Sequence, residues 1–143
     1  MTDEQRSDRG NAIRCTLGML GSDVHTKGIR TIARMLSDAG IDVTFAGEHL
    51  TIDQMVDAVR DTLPEFVGLS FSTAGYLVYM KQFTDALRAA GLGHVTVIVG
   101  GLIHPDDAPA LHEMGVEGLF GPGTTTADIV AFMNRVSAER TFS

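Results

Sequence analysis

The stretch Gly21-Ser22-Asp23-Val24-His25-Thr26-Lys27-Gly28 joins two different kinds of sequence. Before it, residues 12–20 are short and largely apolar, which reads as a buried strand. After it, Ile29, Ile32, Ala33 and Leu36 recur at helical spacing, and Gly40 supplies a C-terminal cap. In a doubly wound sheet, the loop between such a strand and helix lies at the carboxyl edge, where these folds bind ligands. This loop sets an Asp and a His two residues apart, with a Gly three residues after the His. One ring nitrogen of such a His can be offered to a metal. A nearby carboxylate can take the proton of the other nitrogen and fix the tautomer.

The same alternation continues to the end of the chain. Residues 41–46 read as a second strand. Thr51 is a helix N-cap, and Ile52, Met55, Val56, Val59 and Leu63 form one apolar stripe that Pro64 closes. Residues 66–70 (FVGLS) are a third strand, followed by the small polar run Ser70-Phe71-Ser72-Thr73-Ala74-Gly75. Residues 77–90 predict a helix with Met80, Phe83 and Leu87 inward and Gly91 as its cap. Residues 94–99 (HVTVIV) are a β-branched strand running into Gly100-Gly101. Pro109 sits in the first turn of a short helix, where its missing N–H does no harm. Residues 116–120 are a short fifth strand, and Gly121-Pro122-Gly123-Thr124 follows it. Thr126 starts a last helix with Ile129, Val130, Phe132, Met133 and Val136 apolar.

Strands that are apolar nearly throughout, alternating with amphipathic helices, predict a parallel sheet covered on both faces. The expected fold is α/β, a flavodoxin-like (Rossmann-like), doubly wound, five-stranded parallel sheet of order 2-1-3-4-5. Residues 1–11 are expected to form a flexible tail, and residues 12–143 a single domain.

Composition narrows the function. Hydrophobic residues make up 44% of the 143 and charged residues 20%, as in an ordinary globular protein. A net charge of -7 with no Lys/Arg cluster argues against nucleic-acid binding. No apolar stretch approaches the roughly 18 residues of a membrane span, and the polar start is not a signal peptide. The single cysteine, Cys15, lies in the first apolar run and reads as a small buried hydrophobe. The expected setting is the cytoplasm.

Because the strands are parallel, the loops after strands one, three, four and five must share one rim. These four loops concentrate glycines and hydroxyls, which let a ligand approach the backbone closely and offer it donors and acceptors. Blander explanations exist for each feature. A lone loop histidine is more often a surface residue than a ligand. Gly-Gly and Gly-Pro-Gly can be turn chemistry alone, and the hydroxyls of Thr124, Thr125 and Thr126 can simply cap a helix. Met35, Met55, Met80 and Met133 fall within the helical patterns and read as core.

Taken together, the motifs resemble the cobalamin-binding domain of methylmalonyl-CoA mutase and the small subunits of related acyl-CoA mutases. DVHTKG is similar to the family's Asp-x-His-x-x-Gly, and GLSFSTAG to its Ser-x-Leu region. VIVGGLIHPDD is similar to its Gly-Gly turn, and LFGPGTTT to its late Phe-Gly-Pro-Gly-Thr run. The resemblance covers nearly the whole chain. It implies that residues 12–143 form a cobalamin-binding domain holding the cofactor base-off/His-on, with His25 as lower axial ligand of cobalt and Asp23 orienting it. The cofactor contacts it implies are Asp23, Val24, His25, Thr26, Gly28, Ser70, Ser72, Gly100, Gly101, Phe120, Gly121 and Thr124. The displaced nucleotide tail would run past the last seven of these. Gly101→Leu or Ser70→Phe is accordingly expected to fill the tail's slot.

The resemblance further implies an adenosylcobalamin-dependent acyl-CoA mutase that rearranges a carbon skeleton by a radical route. This chain would be its small subunit in a hetero-oligomer, inactive without a large acyl-CoA-binding partner and carrying no catalytic residue of its own. No nucleic-acid or membrane partner is expected. Some positions depart from the family. Met19 stands where a Lys is common, Val24 where Gly is usual, Ser72 at the Leu of Ser-x-Leu, and Tyr76 where His is frequent. Two alternatives remain: a corrinoid carrier or sensor module, and a relative that has lost its cofactor. A receiver-type signalling domain would need an Asp at the end of strand three, where Ser70 stands.

Overall fold

The computed structural model describes residues 12–21, 27–73 and 75–141. Five strands form one sheet: β1 (Arg14–Leu20), β2 (Asp42–Leu50), β3 (Phe66–Phe71), β4 (Thr96–Gly101) and β5 (Val116–Phe120). Their order is β2-β1-β3-β4-β5 and every pairing is parallel. This is the flavodoxin-like arrangement the sequence predicts. The helices are α1 (Lys27–Asp38), α2 (Ile52–Thr62), α3 (Tyr76–Ala89), α4 (Ala108–Glu113) and α5 (Thr126–Thr141), with a 3₁₀ turn over Pro105–Asp107.

The alternation of side chains along each strand builds two separate cores. On one face, Leu20, Val67, Leu69, Val97 and Val99 meet α2 through Met55 and Val59, and α3 through Met80, Phe83 and Leu87. On the other face, Cys15, Leu17, Met19, Phe66 and Ile98 meet α1 through Ile29 and Leu36, and α5 through Ile129 and Met133. Each fully buried side chain of this size contributes about 1.5–3 kcal/mol.

Helix ends follow local chemistry. The Thr51 hydroxyl accepts from the Gln54 N–H at 3.1 Å, and the Gln54 side chain accepts from the Thr51 N–H at 2.9 Å, a complete capping box. Thr125 and Asp128 repeat that reciprocity at the start of α5. The Ile41 N–H returns to the Leu36 carbonyl around Gly40, whose φ is 95°.

Two expectations need correction. Leu63 does not continue the α2 stripe. It is the C-cap, held left-handed at φ 47° ahead of Pro64, and its side chain is 63% exposed. Met35 is 46% exposed rather than core, because it points past Leu36 toward Thr126, whose hydroxyl lies 3.5 Å from its sulfur. The other three helical methionines, Met55, Met80 and Met133, are fully buried.

Cys15 is buried, and burial pushes its thiol pKa from 9.0 up to about 12. The unfolded chain therefore releases this proton at lower pH than the folded one, so this group costs stability as pH rises above about 9. The thiol should react with a disulfide reagent at pH 8 only as fast as the domain opens. Labelling over a urea series, compared with circular dichroism, checks this. Rapid stoichiometric labelling of the native protein would contradict the burial.

Candidate functional site

A cleft of about 340 Å³ opens between the carboxyl half of the sheet and the helix pair α1 and α5. Its origin is a change of residue size along one face. On β3 that face runs Phe66, Gly68, Ser70, and on β4 it runs Ile98, Gly100. Large side chains fill the amino half, and small ones leave the carboxyl half open. The floor is apolar, made by Leu17, Ile29, Ile32, Leu36, Ile98 and Ile129. Among the described lining residues, polar side chains come from Ser70, at the carboxyl end of β3, and Thr124, after β5. Such a cleft suits a largely apolar ligand whose orientation a few polar groups fix.

Of the residues singled out from sequence, Gly28, Ser70, Gly100, Gly101, Phe120, Gly121 and Thr124 line this one cleft. Ser72 lies beyond the end of β3 and is not among the lining residues. Asp23, Val24, His25 and Thr26 lie outside the described residues. Sequence reading missed the floor and the role of Gly68. A signal was present: Phe66-x-Gly68-x-Ser70 and Ile98-x-Gly100 place small residues at every second position of adjacent strands.

The glycines are not equivalent. A Cβ on Gly28 would meet no described atom within 4 Å, and the position lines the cleft. Gly101 has φ 102°, and a Cβ there would stand 2.1 Å from the Phe71 carbonyl oxygen. Its lack of a side chain is thus required by the fold itself.

Gly21, two residues before Asp23, is held from several sides. The Gly21 N–H donates to the Leu50 carbonyl at 3.0 Å, and the His49 Nδ1 lies 3.1 Å from the Gly21 carbonyl. A carbonyl only accepts, so Nδ1 of His49 carries the proton. His49 itself is left-handed at φ 57°. Gly21 has φ 72°, which favours glycine, and the Tyr79 hydroxyl lies 2.7 Å from where a Cβ would stand, so a side chain there would also have to displace that ring. Neither His49 nor Tyr79 was legible in the sequence, since neither belongs to a rim motif.

Among the described residues, no group of three or more His, Cys, Asp or Glu could hold a bare metal ion. No described helix is long and apolar enough to cross a membrane. A doubly wound parallel sheet with an apolar cleft at its carboxyl edge defines a ligand-binding α/β domain. Residues 13–131 match the B12 binding domain family, and the chain belongs to that family.

Its relatives include the pivalyl-CoA mutase small subunit of Xanthobacter autotrophicus (strain ATCC BAA-1158 / Py2), 36% identical over 118 residues, covering 82% of this chain and 79% of that one. The 2-hydroxyisobutanoyl-CoA mutase small subunit of Aquincola tertiaricarbonis is 30% identical, with 90% and 94% covered. The methylmalonyl-CoA mutase of Escherichia coli (strain K12) is 31% identical over 90% of this chain, which spans 18% of that protein's length. Among solved structures, a cobalamin-binding protein from Desulfitobacterium hafniense DCB-2 superposes with a TM-score of 0.73 at 29% identity, covering 86% of this chain and 58% of that one.

Proposed function

We propose that this chain is the cobalamin-binding small subunit of an adenosylcobalamin-dependent acyl-CoA mutase. The observation that carries the reading is the cleft. Its small-residue wall at Gly28, Ser70 and Gly100 opens on the same edge of the sheet from which the Asp23–His25 segment leaves β1. Its likeness to two mutase small subunits, over 79% and 94% of their lengths, supports a small-subunit role.

The residues present fit the cofactor. An apolar floor suits the dimethylbenzimidazole of the nucleotide tail, and Ser70 and Thr124 at the mouth suit its sugar and phosphate. A corrin ring brings its own equatorial nitrogens, so the protein need supply only one axial ligand, and His25 is that ligand in this reading. Asp23 takes the proton of its other ring nitrogen and holds the ring's orientation. When bound, the cofactor supplies a homolysable cobalt–carbon bond, which opens a radical carbon-skeleton rearrangement. This chain's part would be to hold the tail in the cleft, orient the His25 imidazole through Asp23 and bring the bound cofactor to a large subunit that binds the acyl-CoA. It acts in the cytoplasm as part of that hetero-oligomer.

Electron paramagnetic resonance of the bound Co(II) form tests the central claim. Labelling histidine with ¹⁵N should change the axial hyperfine splitting, since the axial nitrogen comes from the protein. An unchanged spectrum, with the dimethylbenzimidazole nitrogen still on cobalt, would overturn the base-off/His-on assignment.

A further inference from the structure

β4 ends at Gly101, and the chain then turns over the sheet edge through Leu102, Ile103 and His104. Gly101 and Leu102 form part of the cleft wall. Three backbone N–H groups hold this turn. Leu102 donates to the Phe71 carbonyl at 2.8 Å, Ile103 to the Gly101 carbonyl at 3.0 Å, and His104 to the Tyr76 hydroxyl at 3.0 Å. The same hydroxyl donates to the carboxylate of Asp107, the residue that leads into α4. Tyr76 is only 6% exposed, and its ring lies against Phe71 with centroids 6.1 Å apart. Burial first, and the Asp107 carboxylate next, raise its pKa, so the phenol keeps its proton.

We propose that Tyr76 is a positioning residue for the cofactor's nucleotide tail, acting through the turn that follows β4. One phenol oxygen ties the start of α3 to both ends of the segment between His104 and Asp107. Without that tie, the turn loses its link to the start of α3 and keeps the bonds from Leu102 to Phe71 and from Ile103 to Gly101. The inference rests on the cobalamin reading above, and its site is distinct from the axial ligand. Its signature is therefore a loss specific to the tail.

The test compares cobalamin with cobinamide, which has the corrin ring but lacks the nucleotide tail. Tyr76→Phe keeps the ring against Phe71 and removes only the hydroxyl. It should weaken cobalamin binding about tenfold, the scale of one buried charge-assisted hydrogen bond, and change cobinamide binding less than about twofold. Asp107→Ala should show a smaller loss in the same direction, because the His104 N–H still donates to the phenol, Asp107→Asn should restore most of that affinity by keeping an acceptor, and the double variant should be no weaker than Tyr76→Phe alone. Wild-type affinity in Tyr76→Phe, equal losses for both ligands, or additive losses in the double variant would each overturn the proposal. A second measurement separates its failure from that of the cobalamin reading. In the apo protein, Tyr76→Phe should speed hydrogen exchange at the Leu102 and His104 amides; unchanged exchange there overturns the tie itself. A wild-type chain that bound no cobalamin would instead sink the functional reading.

Discussion

Gly28→Leu should lower affinity for cobalamin by at least about 100-fold while leaving the fold intact. Gly28 lies in the first turn of α1 and lines the cleft. A Cβ there would meet no described atom within 4 Å, so a longer side chain would extend into the cleft, where the nucleotide tail would lie in the proposed reading. The backbone has no positive φ at this position, so no strain accompanies the change. Helix propensity even favours it, since glycine in a helix costs about 0.5–1 kcal/mol relative to a good helix former. Thermal melting of the apo variant should accordingly match or exceed the wild type. Cobinamide should bind with a much smaller loss. If Gly28→Leu bound cobalamin normally, the tail could not lie in this cleft.

The contrast with Gly101 shows why the choice of position matters. Gly101→Leu looks from sequence like an equivalent block, but its Cβ would stand 2.1 Å from the Phe71 carbonyl oxygen at φ 102°. Backbone cannot yield as a flexible side chain can. That variant would lose stability along with ligand, and its binding data could not be read cleanly. Ser70→Phe carries no comparable backbone conflict and serves as a second block from the sheet side.

His25→Ala should damage turnover of the reconstituted complex far more than it damages the fold. In sequence, His25 falls between the end of β1 at Leu20 and the start of α1 at Lys27, outside both apolar stripes. Apo stability should therefore change by no more than about 0.5 kcal/mol. In the proposed reading, a cofactor without a protein imidazole on its cobalt would keep its own base there, and a coordinated base could not also enter the cleft. Axial ligation and tail insertion thus fail together. Asp23→Asn should be milder, near the roughly 10–100-fold typical of losing a group that orients a metal ligand. Apo melts and turnover with the large subunit, measured on the same preparations, check both. Near-normal turnover by His25→Ala with added adenosylcobalamin would remove His25 from the axial position.

Much of this protein was legible in its sequence because the relevant signals are local. The alternation of apolar runs and amphipathic stripes determined the element order. Parallel connectivity then determined that the Ser70, Gly100-Gly101 and Gly121–Thr124 stretches share one edge. Caps were equally local: Thr51 and Gly40 act within a few residues of themselves.

What the tertiary structure decided depends on lateral neighbours, which no local period encodes. The cleft exists because Gly68 and Ser70 on β3 lie beside Ile98 and Gly100 on β4 in register, so that small residues accumulate on one face. Leu63 fits the α2 stripe by spacing, yet it is exposed because the helix ends before it and the chain turns left-handed there. Met35 neighbours a buried Leu36, but its own direction faces α5 and solvent. Tyr76 and Asp107 are 31 residues apart and meet only because the turns after β3 and β4 lie side by side at one edge. Local periodicity sets which face of an element is apolar. Strand order and register alone decide what that face meets, and hence where the sheet stays open to a ligand.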